Sequence, residues 1–277
     1  MHRRLPAVAA AVLLSGCGMA PGGPTPEGLS YRVPDPNPAT YTFTDTAVFT
    51  VESALGPMEV VTGQAGAAEL DFRRWRSDGH VVVRFPRFRG SFRNATQGAA
   101  TVDESDIGGP FTVRLDPAGR VVVTDTPSLS GTVLDIAGPE GLVRPLFVQL
   151  PARAVGATAR WVDTVATLEE VAGTRSAARS VITSTLAGDT VVAGRRLLRI
   201  RTRSVNTVEV TGVSGGVEVE QRLSGTTIGT VLWDDADHLL VERSATGSLE
   251  GTLALPGAGV EPMAVRAEIR RRVTLRN

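Results

Sequence analysis

The sequence predicts a mainly β protein: one large curved antiparallel sheet with a short helical insertion near residues 127–147. Three observations predict it. Apolar and polar residues alternate over long runs, the two-residue period of strands that bury one face and wet the other. Turn-forming pairs such as Asp78-Gly79 and Asp116-Pro117 punctuate those runs. Helical spacing is confined to one stretch between two β-rich blocks.

Residues 1–16 read as a signal peptide. His2, Arg3 and Arg4 form a charged start, and the apolar run from Leu5 to Leu14 is too short for a permanent membrane span, which needs about 20 residues. Residues 17–40 read as a tether, because Gly18 to Thr40 holds six Pro and four Gly with no periodic apolar pattern. Residues 41–277 then read as a single antiparallel β domain.

In that domain Tyr41, Phe43, Ala47, Phe49 and Val51 share one strand face, with Thr42, Thr44, Thr46 and Thr50 on the other. Ala68, Leu70 and Phe72 alternate with Glu69, Asp71 and Arg73. Val81, Val83 and Phe85 precede Pro86, a bend or edge signal, and Phe88 and Phe92. Phe111, Val113 and Leu115 run through an Asp-Pro-Ala-Gly turn to Val121 and Val123. Leu198 and Ile200 oppose Arg199, Arg201 and Arg203. Leu239, Val241, Ala245 and Leu249 oppose Glu242, Ser244 and Glu250. Val265, Ala267, Ile269, Val273 and Leu275 oppose Arg266, Glu268, Arg270 and Arg272.

The helical candidate starts at Thr126-Pro127, continues through Leu129, Val133 and Ile136, and stops at Gly138-Pro139. A second short piece spans Glu140 to Leu146. The blocks Val81–Gly131 and Leu197–Gly251 repeat a similar order of strands and turns, so duplicated halves of one sheet are expected.

Composition narrows the function. Twenty-nine basic residues, all Arg, cancel 29 acidic ones, which is no charge balance for neutralising nucleic-acid phosphates. One Cys excludes an intrachain disulfide framework. That Cys ends Leu14-Ser15-Gly16-Cys17, which resembles the lipobox of bacterial lipoproteins. The resemblance implies a diacylglycerol thioether on Cys17, cleavage before it and acylation of the new amino terminus; several acyl chains hold a protein where one is marginal. Gly18, where an Asp would signal inner-membrane retention, favours the outer membrane, facing the periplasm. Loss of Arg3 and Arg4 leaves 27 Arg against 29 carboxylates, a mature charge of −2.

The lipobox, the Pro-rich tether, the long antiparallel strands and the helical insertion together resemble the half-barrel fold of the lipoprotein carriers LolA and LolB and the mycobacterial lipoproteins LppX and LprG. By that resemblance only Cys17 carries over as a functional residue.

Reactive constellations are absent from the sequence. There is no Gly-x-Ser-x-Gly elbow, P-loop or dinucleotide fingerprint. Asp234-Asp235-Ala236-Asp237-His238 lacks calcium-loop spacing and reads as a turn. Glu169-Glu170 and Asp103-Glu104 are neighbours, so in strands they point to opposite faces. The arginine rows 199/201/203 and 266/270/272 read as a solvated face, with anionic head groups as the alternative occupant. No enzyme activity, cofactor or metal is expected.

The leading expectation is a non-enzymatic lipoprotein that binds a lipid or other hydrophobic ligand on a concave apolar face. Phe43, Phe49 and Phe72 would floor that groove, under a lid of Leu129, Val133, Ile136 and Phe147. The same seven residues could instead fill a closed core. The alternative function is an envelope scaffold that docks a protein partner with no ligand cavity.

Overall fold

The computed structural model describes residues 29–54, 56–75, 78–94, 98–151, 159–171, 173–214 and 217–276. The expected signal peptide, Cys17 and the start of the expected tether lie outside these residues. Twelve strands form one sheet. The first arm holds β1 (Ala39–Ser53), β2 (Gly56–Trp75), β3 (Gly79–Asn94), β4 (Gly98–Asp103), β5 (Phe111–Leu115) and β6 (Val121–Asp125). The second holds β7 (Arg160–Val171), β8 (Thr174–Val192), β9 (Arg195–Ser214), β10 (Val217–Asp234), β11 (Leu239–Ala254) and β12 (Met263–Arg276). Between the arms lie α1 (Gly131–Ile136), α2 (Pro139–Val143) and a 3-10 turn at Arg144–Leu146.

The spatial order is β6-β5-β3-β2-β1-β12-β11-β10-β9-β8-β7, with β4 beside β3. Neighbours are antiparallel throughout, as the alternation predicts. The two β-rich blocks therefore belong to two arms of one sheet. They meet where β1 pairs β12, from Thr40↔Arg276 to Val51↔Val265. From that centre the chain runs outward along the first arm and inward along the second. Among the described residues β6 and β7 do not pair with each other, so the sheet is curved but open along one seam.

Side-chain size sets the curl. Strands β8, β9 and β10 run for 19, 20 and 18 residues, roughly 60 Å each at about 3.3 Å per residue. A flat sheet of that length would leave its inner face wet. Inward-facing glycines let neighbouring strands bend into one another: a Cβ on Gly251 would overlap the Arg222 carbonyl, and one on Gly247 would lie 2.6 Å from the Thr226 carbonyl oxygen. Register shifts at Ala67/Glu69 and Leu232/Trp233 add local bends.

The inner face packs into two apolar clusters. The larger joins Tyr41, Phe43, Leu70, Phe72, Phe88, Phe111 and Trp233 with the helical insertion. Its rings meet edge to face, Phe85 lying 5.8 Å from both Phe43 and Phe111. The smaller, towards the other strand ends, contains Phe49, Val51, Val208, Leu223, Leu249 and Val265.

Two sequence expectations need correction. The helix starts not at Thr126-Pro127 but at Gly131, capped by Ser130, whose Oγ accepts the Val133 N–H at 3.3 Å. Leu129 is drawn instead into an isolated bridge with Ile107. The second piece forms as expected, α2 plus its 3-10 turn, with Pro139 in its first turn. The tether also ends sooner than residue 40. Tyr31 is 1% exposed, donates its N–H to the Pro117 carbonyl at 2.8 Å and sets its ring 4.8 Å from Trp233. The Asn37 side chain exchanges two 3.0 Å hydrogen bonds with the Phe72 backbone. Packing thus reaches back at least to Leu29, the first described residue.

Candidate functional site

Between the two apolar clusters the inner face turns polar. Asp45 stands opposite Gln64 on one side and Arg271 on the other, so register alone places the three side chains in one row. Arg271 Nε donates to Asp45 Oδ2 at 2.9 Å, Nη2 donates to the same oxygen, and Gln64 Nε2 lies 3.4 Å from it. Farther round the curl Asn206 Nδ2 donates to Thr227 Oγ1 at 3.0 Å, and Ser180 and Ser184 are buried. The concave face is therefore not continuously apolar, contrary to the sequence expectation.

Arg243 carries the least compensated charge in this belt. It lies on the inner face of β11, opposite Val231 and Val273. Its Nη1 donates to the Phe147 carbonyl at 3.1 Å, which ties the helical insertion to the sheet. No carboxylate among the described residues lies within ion-pair distance of it, whereas Arg271 has Asp45. Burial pushes the Arg243 guanidinium down to about 10, and nearby Arg271 pushes the same way against Tyr31 and Asp45, so it remains a cation at neutral pH.

Its remaining surface faces a cavity of about 70 Å³ at the seam. β7 contributes Asp163, β8 Ser184, β9 Thr202 and Ser204, and the insertion Arg144 and Phe147. Burial raises the pKa of Asp163, and Asp116 adds to the rise; the Thr164 N–H and Arg120 oppose it. Farther along β7, Glu169 is raised by burial and by Glu140, against Arg144. Its carboxylate lies so close over Gly138 that a Cβ there would come within 2.8 Å. Tyr31 completes the wall behind Phe147: its hydroxyl accepts the Val148 N–H at 2.9 Å, and burial drives its pKa far up.

The groove residues expected from sequence divide unequally. Phe43, Phe72, Val133, Ile136 and Phe147 are buried in the larger cluster, and Leu129 packs against it. Phe49 lies in the other cluster, across the polar belt. Of the seven only Phe147 lines the seam cavity. Cys17 lies outside the described residues. Outward arginines mostly meet carboxylates: Arg266 with Glu250 and Arg272 with Glu242, each at 3.1 Å. Arg201 and Arg203 are exposed. The acidic run before His238 is a turn in which Asp234 Oδ1 accepts the N–H groups of Ala236 and Asp237 at 2.9 and 3.1 Å. Glu169 points inward and Glu170 outward, as neighbours in a strand must.

Sequence reasoning missed Asp45, Arg271, Arg243 and Asp163. A signal for three of them was present: Asp45, Arg243 and Arg271 each fall in the apolar phase of an otherwise clean alternation.

No family model matches the chain, and no curated protein does. Among solved structures the crystal structure of Neisserial surface protein A matches with a TM-score of 0.26 and 10% identity, over 85% of this chain and 96% of that one. At that score the likeness carries no argument about fold or role.

Proposed function

We infer that this chain is a non-enzymatic lipoprotein of the bacterial envelope, held at the outer membrane by acylated Cys17 and facing the periplasm. Its curled sheet receives a lipid or another hydrophobic ligand. The open seam carries this reading. Beside it α2, a helix of five residues with no stability apart from its packing, contacts β6 and receives the Glu169 carboxylate of β7 over its cap at Gly138, whereas α1 packs on β2, β3 and β4. Parting that seam exposes the apolar side chains of the larger cluster, Val121 and Phe147 among them, without breaking any of the long strand ladders. The lipobox-like Leu14-Ser15-Gly16-Cys17 supports the anchor. The ion-paired outer face of β11 and β12 is unlike the apolar outer band of a membrane-spanning barrel.

Native mass spectrometry of the full chain, gently extracted from membranes, tests both parts. The expected spectrum shows an acylated protein with a stoichiometric lipid adduct, and Cys17→Ser moves the protein out of the membrane fraction. Repeated recovery of ligand-free protein overturns the ligand reading; membrane retention of Cys17→Ser overturns the anchor. The free edge of β7, where Val162 and Leu168 stand exposed, favours a second reading as a docking scaffold. A stoichiometric protein partner with no lipid in the same spectra would establish that one.

A further inference from the structure

We propose that the seam cavity is an anion site in which Arg243 holds the carboxylate or phosphate group of its ligand. This rests on the ligand-binding reading above and names the ligand's chemistry: an acidic amphiphile, its head on Arg243 and its chain leaving between β6 and β7.

Charge accounting points there first. Of the two inner arginines on β11 and β12, Arg271 is neutralised by Asp45 across the β1–β12 pair, whereas Arg243 has no described carboxylate within reach. A guanidinium offers five N–H donors in a planar fork. One donor atom is engaged on the Phe147 carbonyl, and the same side chain lines the cavity. A half-buried cation without a counter-charge is held at an energetic cost, which an arriving anion relieves.

The walls suit the same occupant. Ser184, Thr202 and Ser204 offer hydroxyl donors on one side, and Val121, Phe147 and Val231 make the other side apolar. About 70 Å³ accommodates a head group and not an acyl chain, so the chain must follow the seam outward. Arg144 lines the same cavity and is ion-paired with Glu140. Asp163 is the opposing element: ionised it repels the anion, and burial raises its pKa. Arg243 therefore selects acidic over neutral amphiphiles of equal length, and Asp163 sets how tightly they are held.

The test is calorimetric titration of the full chain in mild detergent with oleate, with oleyl alcohol and with inorganic phosphate. Wild type is expected to bind oleate at least tenfold more tightly than the alcohol. Arg243→Met is expected to weaken oleate on the order of a hundredfold, and Asp163→Asn to strengthen it several-fold at pH 7. Ser184→Val, which narrows the cavity without altering charge, serves if Arg243→Met does not fold, and is expected to weaken oleate by about tenfold. Equal binding of oleate and the alcohol, unchanged in Arg243→Met, overturns the anion site while leaving a hydrophobic ligand in place. Phosphate binding that depends on Arg243, with neither amphiphile bound, upholds the anion site and overturns the lipid reading. Failure of both oleate and phosphate to bind wild type overturns the anion site.

Discussion

Asp45→Ala removes the one carboxylate that meets Arg271 among the described residues and leaves two guanidiniums, Arg271 and Arg243, in one inner belt. The Arg271 side chain is 5% exposed and that of Asp45 15%, so solvent screens little of the loss. Breaking a buried ion pair by deleting one partner costs about 3–5 kcal/mol, mostly for the charge left behind. For a domain of this size that corresponds to a fall in Tm of roughly 6–20 °C. The reverse deletion, Arg271→Met, should cost less. The stranded Asp45 carboxylate still has Arg243 nearby to share, and Arg243 loses a repulsive neighbour. The double variant Asp45→Ala/Arg271→Met should recover much of the stability, because no unpaired charge is left behind. Urea unfolding of the four proteins gives the coupling directly. Equal losses below about 1 kcal/mol for the two single variants, or additive losses in the double, would refute the account of an inner charge belt.

Three further outcomes follow from the same geometry. Asp163 and Glu169 both have pKa values raised by burial, so the folded state binds their protons more tightly than the unfolded chain. Their contribution favours folding at acid pH and is lost as pH rises through the folded values. Asp163→Asn and Glu169→Gln should therefore raise the urea midpoint at pH 7.5, with the gain vanishing below the usual carboxylate range near pH ~4. Phe43→Ala, in the aromatic cluster with Phe85 and Phe88, should lose about 3–5 kcal/mol in the same assay; the exposed Val205→Thr should stay within about 0.5 kcal/mol. Gly251→Ala, which has no room beside the Arg222 carbonyl, should lower Tm although alanine has the better intrinsic strand fit; an unchanged Tm would show that the strands can relax apart there.

Strands were legible where burial imposed a two-residue rhythm. β1 and β12 show it along most of their length, and their outward rows, Thr44 facing Arg272 and Thr46 facing Arg270, face solvent as expected. β8 was silent for a physical reason: Ser176, Ala178, Ser180 and Ser184 share its inner face with Ile182 and Leu186, so small and polar residues break the apolar rhythm. The helix start was misplaced because Thr126-Pro127 imitates a cap. Leu129 was claimed by Ile107 before helical geometry could begin. Tyr31 was lost inside a Pro-rich composition that reads as unstructured, although one ring wedged against Trp233 suffices to pin the segment. The site itself was the least legible part. Asp45 and Arg271 are 226 residues apart, and only the pairing of the first strand with the last brings them together.

That pairing dictates when the protein can fold. The spine of the sheet joins Thr40 to Arg276, so β1 has nothing on one flank until β12, more than two hundred residues further along the chain, pairs with it. Contacts of such sequence separation form slowly and leave bare ladder edges in the meantime. A chain cut before Met263 therefore lacks the keystone strand on which both arms lean.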